Sequence, residues 1–204
     1  MEQGQNPQEY FEQSLEEFFQ PLLASPLPND RKYSRGHMWI KNDSSSSATL
    51  GIDHVGAYFL KPVVSVVLPQ TPTRVEQNSP LAWLVVREGT IALRAAVSGI
   101  GSQSNDQLLE HPYLLLDDPY NSGWILRVSE TETAGTELLS ADDFTPLLHK
   151  EFVEIKERFS AVFNKMQPSI GPTLYDGGKS LRSIAEIVGQ KRYFDITNRL
   201  FSRA

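Results

Sequence analysis

Hydrophobic and polar positions change rhythm twice along this chain. Between Phe11 and Leu22, apolar residues recur as Phe11, Leu15, Phe18 and Leu22, while Glu9, Glu12, Glu16 and Glu17 fill most of the remaining positions. A period near 3.6 gathers such residues on one face, so the segment predicts an amphipathic helix. Asn6 as the cap, Pro7 at the first helical position and Glu9 three residues past the cap supply its start. The stretch "SPLPND" supplies its stop.

From about Tyr33 to Val128 the rhythm shortens. "HMWIK", "ATLGID", "PVVSVVLP", "LAWLVV", "IALRAAV" and "GWILRV" are β-rich runs, separated by "NDSSSS", "QTPTRVEQNSP", "REGT", "SGIGSQSND" and "DDPYNSG". Short strands punctuated by Gly, Pro, Asn, Asp and Ser predict an all-β sandwich or barrel rather than alternating βα units. "HVGAYFL" fits a strand or a short helical turn equally well. The run Ser44 to Ser47 reads as a hairpin tip.

Helical spacing then returns. Ser140 with Asp143 three residues later resembles a capping box, and Phe144, Leu148, Phe152, Ile155, Phe159 and Val162 form one long apolar stripe. "QPSIGPTLYDGGKS" interrupts it, and "LRSIAEIV" and "RYFDITNRLF" read as two further short helices. The stripe must bury itself on the β body, on the first helix or on another protein. Phe11, Leu15, Phe18, Leu22, Phe152, Ile155, Phe159 and Val162 are therefore the candidate interaction residues.

Composition narrows the classes of function. The 204 residues are 40% hydrophobic and 22% charged, so one substantial core is expected rather than a disordered chain. A net charge of −6 argues against nucleic acid as a partner, and no segment is long and apolar enough for membrane insertion. A soluble, cytoplasmic protein with protein partners is expected. Cysteine is absent, which removes disulfides, thiolate nucleophiles and Cys-based metal sites. The four histidines, His37, His54, His111 and His149, show no metal-ligand spacing, so no metal is expected. Asp53 beside His54 offers an acid–base pair in principle, but no nucleophile pattern accompanies it. "YDGGKS", Tyr175 to Ser180, lacks the spaced earlier glycine of a phosphate loop and reads as a loop with a helix cap at Ser180.

Four blocks between Tyr33 and about Leu148 carry a family likeness. "YSRGHMWIK" supplies His37 and Trp39 in a His-x-Trp, and "LGIDHVGAYFLKPVVSVVLP" opens on Gly-Ile and closes on Leu-Pro. "DDPYNSGWILRV" and "ELLSADDF" follow in the same order. Together they resemble the glycine cleavage system H protein, the lipoyl-carrying shuttle of that pathway. The resemblance implies a mainly β fold, a barrel-sandwich hybrid of the lipoyl/biotinyl type, here flanked by helical extensions. The expected division is an N-terminal helical extension over 1–30, the H-protein-like domain over 31–150 and a C-terminal helical extension over 151–204.

One hairpin departs from the family. In the family, the strand matching Val85 and Val86 runs into Glu-Ser-x-Lys, whose lysine carries the lipoyl arm; here the turn is Arg87, Glu88, Gly89 and Thr90. The interval to Val97 is shorter by about two residues, which suits a compact hairpin with Gly89 at a positive φ. Arg is no substitute acceptor, because its guanidinium stays protonated. Lys61 aligns away from the tip and reads as an ordinary solvated side chain. The expectation is thus a non-catalytic module without catalytic residues and without a cofactor, lipoate included. It would act as an interaction, scaffold or regulatory subunit of a larger complex. The rival expectation is a lipoyl-type carrier with an unusual attachment site, for which Lys61 and Lys179 are the candidates.

Overall fold

A computed structural model of the chain describes residues 7–132, 137–166 and 183–202. They fall into a β unit, Leu27–Pro146 with Thr197–Ala204, and a helical unit, Met1–Pro26 with Leu147–Ile196. Most of the two terminal extensions, separate in sequence, thus belongs to one compact body, while residues 27–30 and Thr197–Ala204 fall with the β unit. The Tyr175–Ser180 stretch with Lys179, the Ser180 cap and the Asn6 cap lie outside the described residues.

The β unit contains two antiparallel sheets. Strands β1 (Lys32–Tyr33), β2 (Met38–Asn42), β3 (Ser47–Ile52), β5 (Thr73–Val75), β8 (Ser98–Ser104) and β9 (Trp124–Glu132) form the larger, in the order β1-β2-β3-β9-β8-β5. Strands β4 (Val63–Val67), β6 (Pro80–Val86) and β7 (Gly89–Arg94) form the smaller, in the order β4-β6-β7. The expected mainly β architecture is present, although the sheets do not close into a barrel. Alternation along the strands turns Ala48, Leu50 and Ile52 of β3, Leu84 of β6, Ile91 and Leu93 of β7, and Leu126 and Val128 of β9 into the core. Trp39 lies buried opposite Gly51, donating from Nε1 to the Pro119 carbonyl at 3.0 Å. A Cβ at Gly51 would overlap its indole, so this strand position requires glycine.

Two short elements depend on polar caps. "HVGAYFL" resolves as helix α2 (His54–Phe59), because the Asp53 carboxylate accepts from Gly56 N at 2.7 Å and satisfies its first turn. The short helices α3 (Gln107–Glu110) and α4 (Leu114–Asp117) precede the "DDPYNSG" turn. There Asp118 accepts from Ser122 N and from the Asn121 amide, each at 2.9 Å. These bonds, the backbone one foremost, hold its carboxyl below the usual range.

Helix α1 runs Pro7–Ala24 and α5 runs Ala141–Met166, the latter entered through Asp143 N donating to Ser140 Oγ. The long stripe of α5 is shared between units. Phe144 stacks on Tyr33 in the β unit with ring centroids 5.4 Å apart, whereas Leu148, Phe152, Ile155 and Phe159 are buried residues of the helical unit. In that unit Phe11 stacks on Phe163 at 4.2 Å, and Phe19 meets Phe152 at 5.2 Å. Lys156 pairs with Glu16 at 2.6 Å. Helix α6 (Ile184–Val188) opens on a capping box between Ser183 and Glu186, and α7 (Gln190–Thr197) brings Tyr193 against Phe159 at 5.6 Å. Each fully buried aromatic contributes roughly 2–3 kcal/mol of transfer free energy, which is where the amphipathic faces find their stability.

The helical spacing expected from sequence is slightly shifted. Phe19 and Phe163 occupy fully buried positions, while Phe18 and Val162 remain half-buried. Phe11, Leu15, Leu22, Phe152, Ile155 and Phe159 are all buried in the folded chain.

Candidate functional site

The β6–β7 hairpin carries the turn Arg87, Glu88, Gly89 and Thr90. Its register pairs Trp83 with Ala92, Leu84 with Ile91, Val85 with Thr90 and Val86 with Gly89. Arg87 and Glu88 are therefore the two apex residues, and Gly89 is already the first residue of β7. None of the three takes a positive φ, so the expected role of Gly89 as a left-handed turn residue is corrected. The turn closes with ordinary backbone angles, and its exposed side chains are those of Arg87 and Thr90, with Glu88 half-buried.

The neighbouring strand changes what this end of the sheet contains. Strand β4 runs antiparallel to β6 and pairs Val63 with Val86, Ser65 with Val85, Val66 with Leu84 and Val67 with Trp83, with a bulge between Val63 and Ser65. The start of β4 thus lies beside the end of β6. Lys61, two residues before Val63 and at most about 7 Å along the chain from it, belongs to the hairpin-apex end of the sheet. Lys61 aligns away from the tip, and the pairing of β4 with β6 sets it two residues before the partner of Val86.

Helix α2 delivers Lys61 there. Leu60 N donates to the Ala57 carbonyl at 3.2 Å and Lys61 N to the Tyr58 carbonyl at 3.4 Å, so the backbone under Lys61 is held by the end of α2. The side chain is exposed, and its Nζ rests over the Tyr58 ring, 3.3 Å from the centroid. No lysine occurs from residue 62 to residue 149, so neither β4, β6, β7 nor the turn between the last two carries an amine of its own, and Lys61 lies two residues before β4.

The same sheet exposes large apolar side chains beside polar Ser65 and Thr90. Trp83 and Val67 are cross-strand partners and are 38% and 48% exposed, and Val64 beside the bulge is 60% exposed. Sequence pattern missed this feature, because "PVVSVVLP" and "LAWLVV" read as uniformly hydrophobic runs. Which face meets solvent follows only from the pairing.

His37 and His54 serve the framework. Asp53 turns to His37, not to its neighbour His54: His37 Nδ1 lies 3.0 Å from Asp53 Oδ2, and both side chains are fully buried. His54 Nδ1 lies 2.7 Å from the Tyr120 hydroxyl. Burial first, then the Asp53 charge, pushes the Tyr120 phenol above its ordinary pKa, so it stays neutral. The Arg31 guanidinium sits over Trp39 and Tyr120, 4.7 and 5.0 Å from their ring centroids, and donates to the Tyr120 carbonyl at 2.9 Å. The adjacent Asp53–His54 pair of the sequence is therefore not a unit in space.

Comparison with known proteins places this geometry. Residues 31–151 match the family model described as glycine cleavage H-protein. The glycine cleavage system H protein of Halorhodospira halophila is 30% identical over 128 residues, covering 62% of this chain and 98% of that protein. The one from Carboxydothermus hydrogenoformans is 33% identical over the same shares. A crystal structure of a glycine cleavage system H protein from Mycobacterium marinum superposes with a TM-score of 0.55 at 26% identity, covering 60% of this chain and 99% of that one.

These matches correct the expectation of no cofactor, because glycine cleavage H proteins carry covalently attached lipoate. Lipoate supplies a dithiolane at the end of an acyl arm, joined to its protein through an amide. The apex residues do not fit that bond, since Arg87 offers a guanidinium and Glu88 a carboxylate. Lys61 does fit, as an exposed primary amine at the same end of the sheet.

Proposed function

The chain belongs to the glycine cleavage H-protein family, and from that premise we propose that it is a non-catalytic subunit that docks on an enzyme of glycine cleavage. Contact is made through the outward face of the β4-β6-β7 sheet. The members of the family are carrier subunits rather than catalysts. The observation that carries the reading is the Trp83–Val67 pair: an exposed tryptophan beside an exposed valine, on the sheet whose end presents Arg87, Glu88 and Lys61. Tryptophan is the residue type most often found to dominate binding energy when a partner buries it.

The helical unit adds a second contact surface, the part of the role expected of the terminal extensions. Most of the candidate apolar residues there are buried, so in this reading the contact falls to the exposed Leu23 and Val153 and to the half-buried Val162, Phe18 being packed on Phe19 and Tyr193. No helix among the described residues is long and apolar enough to cross a membrane, and the assembly in this reading works in the cytoplasm.

Binding of the purified full chain to the host's glycine decarboxylase, measured by calorimetry, tests the reading. Trp83→Ser should weaken the complex at least about tenfold, as expected for a hot-spot residue, while circular dichroism stays unchanged. Absence of a complex with the unaltered chain, or equal affinity for the variant, would sink it.

A further inference from the structure

We propose that Lys61 is the acyl-attachment site of this protein, taking a lipoyl group on Nζ in place of a residue at the hairpin apex. The proposal rests on the family membership and on the geometry of the sheet end, not on the docking face around Trp83.

Attachment of a mobile arm requires an amine that solvent and a modifying enzyme can reach, on backbone rigid enough to present it, at an end of the domain where the arm can swing. Lys61 meets each condition. Its side chain is exposed. Its backbone leaves a helix whose first turn is capped by Asp53 and whose last turn binds Leu60 N and Lys61 N. The residue then enters β4, whose Val63 pairs with Val86, the last β6 residue before the apex. Strands in a sheet lie about 4.8 Å apart, so Lys61 and the apex are neighbours although the sequence separates them.

The other lysines of the family-matched segment are placed differently. Lys41 is tied to Asp30 at 3.0 Å, and both it and Lys32 lie in the six-stranded sheet, on β2 and β1. Lys150 is a residue of α5. Among the lysines of this segment, Lys61 is the one two residues before Val63, the β4 residue paired with Val86 at the end of β6. The half-buried Tyr58 ring lies under its Nζ and directs the side chain, and a cation–π contact of an exposed lysine is weak enough for the amine to leave.

The reaction balances without redox change. Neutral Nζ attacks the carbonyl carbon of a lipoyl adenylate, and the new C–N bond forms as the C–O bond to the phosphate breaks. AMP departs with that electron pair, and the amine's proton passes to solvent. The product is an amide.

Incubation of the full chain with a lipoate ligase, lipoate and ATP, read by intact mass and peptide mapping, tests the assignment. The unaltered chain should gain one lipoyl group, mapped to Lys61. Lys61→Arg should gain none, while Lys32→Arg behaves as the unaltered chain. No gain by the unaltered chain, a gain retained by Lys61→Arg, or mapping of the group to any other lysine would overturn the assignment. Because the mapping is done on the unaltered chain, a folding defect in a variant cannot imitate either answer. Loss of enzyme docking with a normal mass gain would count against the docking face alone.

Discussion

Removing the Asp53 carboxylate tests how the β unit presents its working end. The side chain is fully buried, accepts from Gly56 N at 2.7 Å and lies 3.0–3.1 Å from His37 Nδ1. Asp53→Ala deletes a helix cap, which costs about 1 kcal/mol. It also strips a buried imidazole nitrogen of its carboxylate, for roughly another 1–3 kcal/mol. The expected loss is therefore about 2–4 kcal/mol. Asp53→Asn keeps an oxygen for the cap and should lose roughly half as much. Urea unfolding followed by tryptophan fluorescence suits the measurement, because Trp39, Trp83 and Trp124 all lie in the β unit and report it alone. The midpoint should fall with the slope unchanged. A loss under about 0.5 kcal/mol for Asp53→Ala would refute the assignment of this carboxylate as the joint holding α2.

Two further outcomes follow from the packing and the charges. Phe163→Ala should destabilise the helical unit by about 3–5 kcal/mol, and a double-mutant cycle with Phe11→Ala should show a coupling of about 0.5–1.5 kcal/mol. Far-ultraviolet circular dichroism during unfolding reads this, and additivity of the two changes would mean that the stack contributes nothing of its own. Asp30 is held down to about 2 by its hydrogen bond to Arg31 and then to Lys41. A folded pKa below the unfolded value of about 3.9 means stability present above about pH 4 and lost as the pH falls towards 2. The carboxylate is 48% exposed, so solvent screening limits the effect to under about 1 kcal/mol. Asp30→Asn should flatten the urea midpoint between pH 5 and pH 2.5, and an unchanged acid slope would remove Asp30 from the account.

Much of the architecture was legible as local rhythm. The six strand runs, the Ser140 entry to α5 and, to within a residue, the two apolar helix faces appear where periodicity predicts them, because burial of one face acts on every third, fourth or second residue. Strands β5 and β8, by contrast, form within "QTPTRVEQNSP" and "SGIGSQSND", whose polar residues read as turns until backbone pairing makes them strands. "HVGAYFL" was not legible, since its few residues fit either period until the Asp53 cap decides for the helix. The Phe18/Phe19 and Val162/Phe163 positions slipped by one residue, because adjacent aromatics both satisfy a stripe and only packing selects between them.

The sequence by itself determined the helix–β–helix order of its segments, the family and the absence of a lysine at the β6–β7 turn, all properties of residues close together in the chain. Only the tertiary structure decided that β4 lies beside β6, and with it that Lys61 stands next to the turn and that Trp83 and Val67 share an exposed face. Strand pairing joins segments through backbone hydrogen bonds common to every residue type, so register is written in the assembled sheet and not in either strand alone.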